Sequence, residues 1–119
     1  MTLKLNHLHL KTRDPEQTAK FYVDTLGAKI VSQSPNGAYR LDLHGLSLNV
    51  SRFLESQTRE QRYGMEHIAI DTDELDALVE KLKAQGISIL EQTIVSGGRR
   101  VCFFEGPDGV QLEFIEMKK

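Results

Sequence analysis

Polar and apolar residues alternate near the start of the chain, with Leu5, His7 and His9 on one side and Asn6, Leu8 and Leu10 on the other. That period of two predicts a strand that turns both histidines to one face and Leu8 and Leu10 toward a covering helix. The helix has its own start signal: Asp14 suits the cap, Pro15 the first turn, and Gln17 lies three residues after the cap. Its expected core stripe is Thr18, Phe21, Tyr22 and Thr25, and Gly27 is its expected stop. A second helix is predicted from about Asp73, where Leu75, Leu78, Val79 and Leu82 fall at i, i+3, i+4 and i+7 before Gly86. Strands are expected near 28–33, 38–43 and 46–52 after the first helix, with turns at Ser34-Pro35-Asn36-Gly37 and His44-Gly45. After the second they are expected near 87–94, 99–105 and 110–117, separated by Ser96-Gly97-Gly98 and Gly106-Pro107-Asp108-Gly109.

The order strand, helix, three strands therefore occurs twice. Asn6-His7-Leu8-His9-Leu10 opens one copy and Glu66-His67-Ile68-Ala69-Ile70 the other. His7 precedes Gly27 by 20 positions and His67 precedes Gly86 by 19; Asn49 follows His7 by 42 and Glu113 follows His67 by 46. A repeated unit too small to bury its own apolar face predicts a pseudo-symmetric α+β fold. Module one is placed at 1–52, a polar linker carrying Arg59 and Arg62 at 53–63, and module two at 64–119. His7, His67 and Glu113 become candidates for one site.

The length of 119 residues suits one domain. Fifteen Lys plus Arg against seventeen Asp plus Glu give a net charge of −2, which asks for neither nucleic acid nor an anionic membrane surface. No stretch approaches the roughly 20 apolar residues of a spanning helix, and no apolar run near the N-terminus reads as a signal peptide, so a cytoplasmic location is expected. The single cysteine, Cys102, has no partner for an internal disulfide and reads as a small apolar strand residue.

The segments Asn6-His7-Leu8, Lys20-Phe21-Tyr22-Val23-Asp24-Thr25-Leu26-Gly27, Glu66-His67-Ile68-Ala69-Ile70 and Phe103 through Glu116, with the turn Gly106-Pro107-Asp108-Gly109, resemble the vicinal oxygen chelate superfamily. That group contains glyoxalase I, bleomycin-resistance proteins, fosfomycin-resistance enzymes and extradiol dioxygenases. The resemblance covers essentially the whole chain and implies a half-open mixed β-barrel built from the two modules. It also implies a divalent metal (nickel, zinc, manganese or iron) held by His7, His67 and Glu113. Two imidazoles and one carboxylate suit such an ion and leave positions open for a substrate with two neighbouring oxygens.

One departure is informative. Where glyoxalase I has a glutamate that ligates and moves a proton, this chain has Asn49, so acid/base work would fall on Glu113 as the catalytic residue, or on water. His9, Asn49, Tyr39, Arg40, Arg52 and Arg100 are the candidate substrate-binding residues, and His44 reads as an exposed turn residue. The expected function is a metal-dependent lyase or isomerase, related to lactoylglutathione lyase, acting on a small-molecule substrate. The alternative is a metal-free, ligand-sequestering protein of the bleomycin-resistance type. A homodimer is expected, because half-open barrels leave strand edges and a concave apolar face that pairing covers.

Overall fold

The computed structural model describes residues 2–117. Strand β1 (Leu3–Lys11) leads into helix α1 (Pro15–Leu26), followed by β2 (Lys29–Gln33), β3 (Tyr39–Leu43) and β4 (Leu46–Ser51). Strand β5 (Gly64–Thr72) leads into α2 (Leu75–Ala84), followed by β6 (Ile89–Val95), β7 (Arg99–Glu105) and β8 (Gln111–Glu116). The expected strand, helix, three-strand order is present twice, with ends displaced by one or two residues.

The chain forms two compact units, one of His7–Glu66 and one of the chain up to Asn6 together with the chain from His67. The division falls inside β1, and the segment expected as a linker belongs to the first unit. Gln57 and Gln61 of that segment each take a hydrogen bond from Lys11 Nζ at 3.2 Å, which fastens it to β1.

In the first unit the strands run in the order β2-β3-β4-β1, with β1 parallel to β4 and the other pairs antiparallel. One sheet face packs α1 through Leu10, Leu41, Leu48 and Val50, with Leu8, Tyr39 and Leu43 at the margin. Asp14 Oδ1 accepts from Gln17 N at 3.1 Å, Pro15 starts the helix, and Gly27 ends it at φ +76°, a conformation glycine adopts without cost. The helix phase differs from the expected one. Pro15 and Ala19 are buried, with Tyr22 and Val23 beside them, whereas Phe21 is 54% exposed and Thr25 is exposed. Pro15, Ala19, Tyr22 and Val23 lie at i, i+4, i+7 and i+8, a continuous stripe that leaves Phe21 on the other side.

In the second unit the order is β5-β8-β7-β6, with β5 parallel to β8. All four expected stripe residues of α2, Leu75, Leu78, Val79 and Leu82, are buried against Cys102, Phe104 and Phe114. Thr72 Oγ1 accepts from Glu74 N at 3.0 Å at the helix start, and Gly86 (φ +73°) follows its end. The opposite sheet face carries a second apolar cluster of Ala69, Val101, Phe103 and Ile115. Asn6 on the first part of β1 donates to Asp71 Oδ1 at 2.9 Å, tying that part of the strand to this unit. Neither described helix is long and apolar enough to cross a membrane.

Candidate metal and substrate site

Alternation decides which side chains leave the helix-packed faces. In the second unit, His67 and Glu113 fall on the face opposite α2, because Ile70, Leu112 and Phe114, of opposite parity on the same two strands, face the helix. His67 Nε2 lies 3.3 Å from Glu113 Oε1, and both side chains are buried. The His67 ring meets the Phe103 ring edge-on, with centroids 5.2 Å apart, which fixes the plane of the imidazole.

That separation bears on whether a divalent ion fits here. A charge-assisted hydrogen bond between the two groups would be about 2.7–2.9 Å. Two donors bound to one ion at about 2.1 Å stand about 3.0 Å apart at a right angle and about 3.4 Å apart at the tetrahedral angle. The observed 3.3 Å lies within that interval. The pair fits two adjacent ligands of one divalent ion.

In the first unit, His7, His9 and Lys11 share the β1 face opposite α1. His7 and His9 have ring centroids 5.9 Å apart, and His9 Nε2 is 2.7 Å from Ser51 Oγ, which pins its ring. Asn49 is the register partner of both His9 on β1 and Arg40 on β3, and Arg40 is in turn the partner of Ser32 on β2. These four residues form one row across the sheet and line a groove of about 190 Å³ with Ser34, Ala38 and Ser51. Asn49 Oδ1 is buried and accepts no hydrogen bond from the described residues. An amide oxygen left free in this way is a spare donor atom for a metal or an acceptor for a ligand hydroxyl.

Lys11 was not anticipated. It is 2% exposed, and its ammonium reaches Gln57, Gln61 and the Arg52 carbonyl. Burial pushes its pKa below the ordinary lysine value, partly offset by the Glu66 carboxylate and reinforced by the Arg59 charge. Arg59 Nη1 pairs with Glu66 Oε1 at 2.9 Å, with side chains 5% and 0% exposed. The sequence signal was available, since Lys11 continues the alternation of His7 and His9.

Three further expected substrate-binding residues have other partners, and of them Tyr39 also lines the groove beside Arg40. Arg100 alternates onto the α2 side of its sheet with Cys102 and is bonded to Asp76 and Glu116, beside a cavity of about 570 Å³ at the start of α2. Its own charge partners account for its position. Tyr39 packs with Leu41 and Leu43 in the cluster under α1, because it has the opposite parity to Arg40 on β3. Arg52 donates to the Arg13 carbonyl. His44 is exposed, as expected, and its Nε2 bonds the Leu26 carbonyl at 2.7 Å at the end of α1.

The profile of the Glyoxalase/Bleomycin resistance protein/Dioxygenase superfamily matches residues 4–114. The chain belongs to this family. Among relatives, a lactoylglutathione lyase of Haemophilus influenzae is 28% identical over 127 residues, covering 98% of this chain and 94% of the relative. The metallothiol transferase FosB of Lysinibacillus sphaericus is 30% identical over 113 residues, covering 92% of this chain and 79% of the relative. A superfamily member from Vibrio splendidus superposes with a TM-score of 0.72 at 20% identity, over 98% of this chain and all of that one. That likeness shows the fold, the expected α+β arrangement of a half-open glyoxalase barrel.

Proposed function

We propose that this chain is a metal-dependent enzyme of the lyase or isomerase kind that acts on a small substrate bound through two neighbouring oxygens. His7, His67 and Glu113 hold the divalent ion, which is nickel, zinc, manganese or iron. The observation that carries the reading is the buried approach of His67 Nε2 to Glu113 Oε1 at 3.3 Å. A buried polar pair at that spacing stabilises a sheet no better than two well-packed apolar residues would, so its chemistry is the better account of it. His7 joins the set because it occupies, two positions before the register partner of Asn49, the place that His67 occupies relative to Glu113. The relatives named a lyase and a metallothiol transferase support the same reading.

When bound, such an ion supplies Lewis-acid polarisation of the substrate oxygens. The Glu113 carboxylate takes the proton from the carbon beside the substrate carbonyl and returns it to the neighbouring carbon. Phe103 keeps water from one edge of His67 and holds its ring plane. His9, fixed by Ser51, orients substrate, and Asn49 binds without moving a proton. The enzyme works in the cytoplasm as a homodimer in this reading, and a sedimentation mass near the single-chain 13.5 kDa at micromolar concentration would overturn the dimer.

The deciding experiment is elemental analysis of protein purified without chelators. About one divalent ion per chain is expected, lost in His67→Ala. Metal-free protein that still binds small ligands tightly would favour a sequestering function instead.

A further inference from the structure

The row Ser32, Arg40, Asn49 and His9 has a property that metal binding alone leaves unexplained. Arg40 is exposed, and its guanidinium has no hydrogen bond or ion pair with any described residue. Two acidic groups of this unit have partners of their own: Asp42 Oδ1 accepts from Gly45 N at 2.7 Å, and Glu66 pairs with Arg59. One register step away on the same face, Asn49 Oδ1 is buried without a donor. A guanidinium without a protein partner and an unfilled acceptor, both lining the same groove, are a complementary pair of recognition groups.

We propose that Arg40 and Asn49 form a subsite for a small carboxylate bearing a hydroxyl on the neighbouring carbon, either a free 2-hydroxy acid or that unit within a larger substrate. The planar guanidinium donates two parallel N–H bonds to the two carboxylate oxygens, a match that a point charge does not provide. The hydroxyl one bond away donates to Asn49 Oδ1, which satisfies the buried oxygen. Ser32 Oγ stands at the same groove to serve a remaining carboxylate lone pair. A groove of about 190 Å³ holds the equivalent of about six waters at about 30 Å³ each, enough for a fragment of that size but not for a large anion. The inference deepens the proposed function and rests on it only in taking the bound group to be part of a substrate.

The test is a titration of chelator-treated, metal-free protein followed by 1H–15N NMR, with lactate, propionate and lactamide as probes. Lactate is expected to shift the Arg40 Nε–H and Asn49 side-chain amide resonances, while lactamide, which lacks the negative charge, shifts neither. Arg40→Gln should weaken lactate at least about tenfold, with partial recovery in Arg40→Lys. Asn49→Leu should leave propionate affinity unchanged and abolish the preference for lactate. Equal binding of lactamide and lactate, an Arg40→Gln variant with wild-type lactate affinity, or no shift at tens of millimolar lactate would each overturn the subsite. Because the titration is done without metal, carboxylate binding in a chain found to hold no metal sinks only the metal reading. A metal-loaded chain that ignores lactate sinks only the subsite.

Discussion

Asn49 stands in the first unit where Glu113 stands in the second. Asn49 faces His9 on the parallel first strand and Arg40 on the antiparallel neighbour; Glu113 faces Ala69 and Phe103 in the same two roles. The two strand positions are therefore matched in register, and the modules differ in what they place there: a neutral amide in one and a carboxylate in the other.

Asn49→Glu should consequently raise affinity for a divalent ion, because an added anionic oxygen strengthens a dicationic site more than an amide oxygen does. Competition against a metallochromic chelator measures it. An unchanged dissociation constant would mean that Asn49 does not reach the ion. Wild-type protein loaded with nickel or zinc should isomerise the hemithioacetal of methylglyoxal and glutathione poorly, since Asn49 offers no second base and Glu113 alone must both ligate and move the proton. Efficient turnover would show that Glu113 suffices.

The fold was legible wherever a pattern was local and uninterrupted. The α2 stripe of Leu75, Leu78, Val79 and Leu82 was complete in the sequence, and all four are buried. The phase of α1 was not legible, because Ala19, which is 2% exposed, carries little hydrophobic signal while the conspicuous Phe21 lies outside. The His67–Glu113 pair could be anticipated because the repeat aligned both residues. The face of Lys11 was legible from the alternation but its partners Gln57 and Gln61 were not, and neither were Asp76 and Glu116 for Arg100, because these partners are distant in sequence and set by the packing of whole elements.

His67→Ala should empty the site, while His44→Ala should leave metal content unchanged. The first removes a buried nitrogen 3.3 Å from Glu113; the second removes only an exposed ring bonded to the Leu26 carbonyl. Metal content of the two variants by mass spectrometry distinguishes them, and equal retention would remove His67 from the proposed site. His9→Ala should fall between, with a loss of roughly 10- to 100-fold in affinity or activity, as for residues that orient a metal site without ligating.

Arg59→Leu should destabilise the protein by about 3–5 kcal/mol, because it strands the Glu66 carboxylate, 0% exposed, without its cation. The double variant Arg59→Leu/Glu66→Leu should cost less than the single one, since no buried charge is left unpaired. Urea unfolding of wild type, both single variants and the double variant gives the coupling. Additive losses would show that the two side chains act independently.

The buried lysine predicts a particular dependence on pH. Lys11 has its folded pKa lowered below the ordinary 10.5, chiefly by burial, so the unfolded chain holds this proton at pH values where the folded chain has released it. Between the two pKa values the unfolded state binds more protons, and stability contributed by this group rises with pH, by up to about 1.4 kcal/mol per pH unit. Below the folded pKa both states carry the charge and the full cost of burying it is present. Lys11→Met removes this titration while keeping the length of the side chain. The difference in unfolding free energy between wild type and Lys11→Met should therefore shift in favour of wild type as pH is raised toward 10.5, with other titrating groups cancelling in the comparison. A difference independent of pH across that window would mean that Gln57, Gln61 and the Glu66 charge stabilise the ammonium fully, leaving Lys11 with an ordinary pKa in the folded protein.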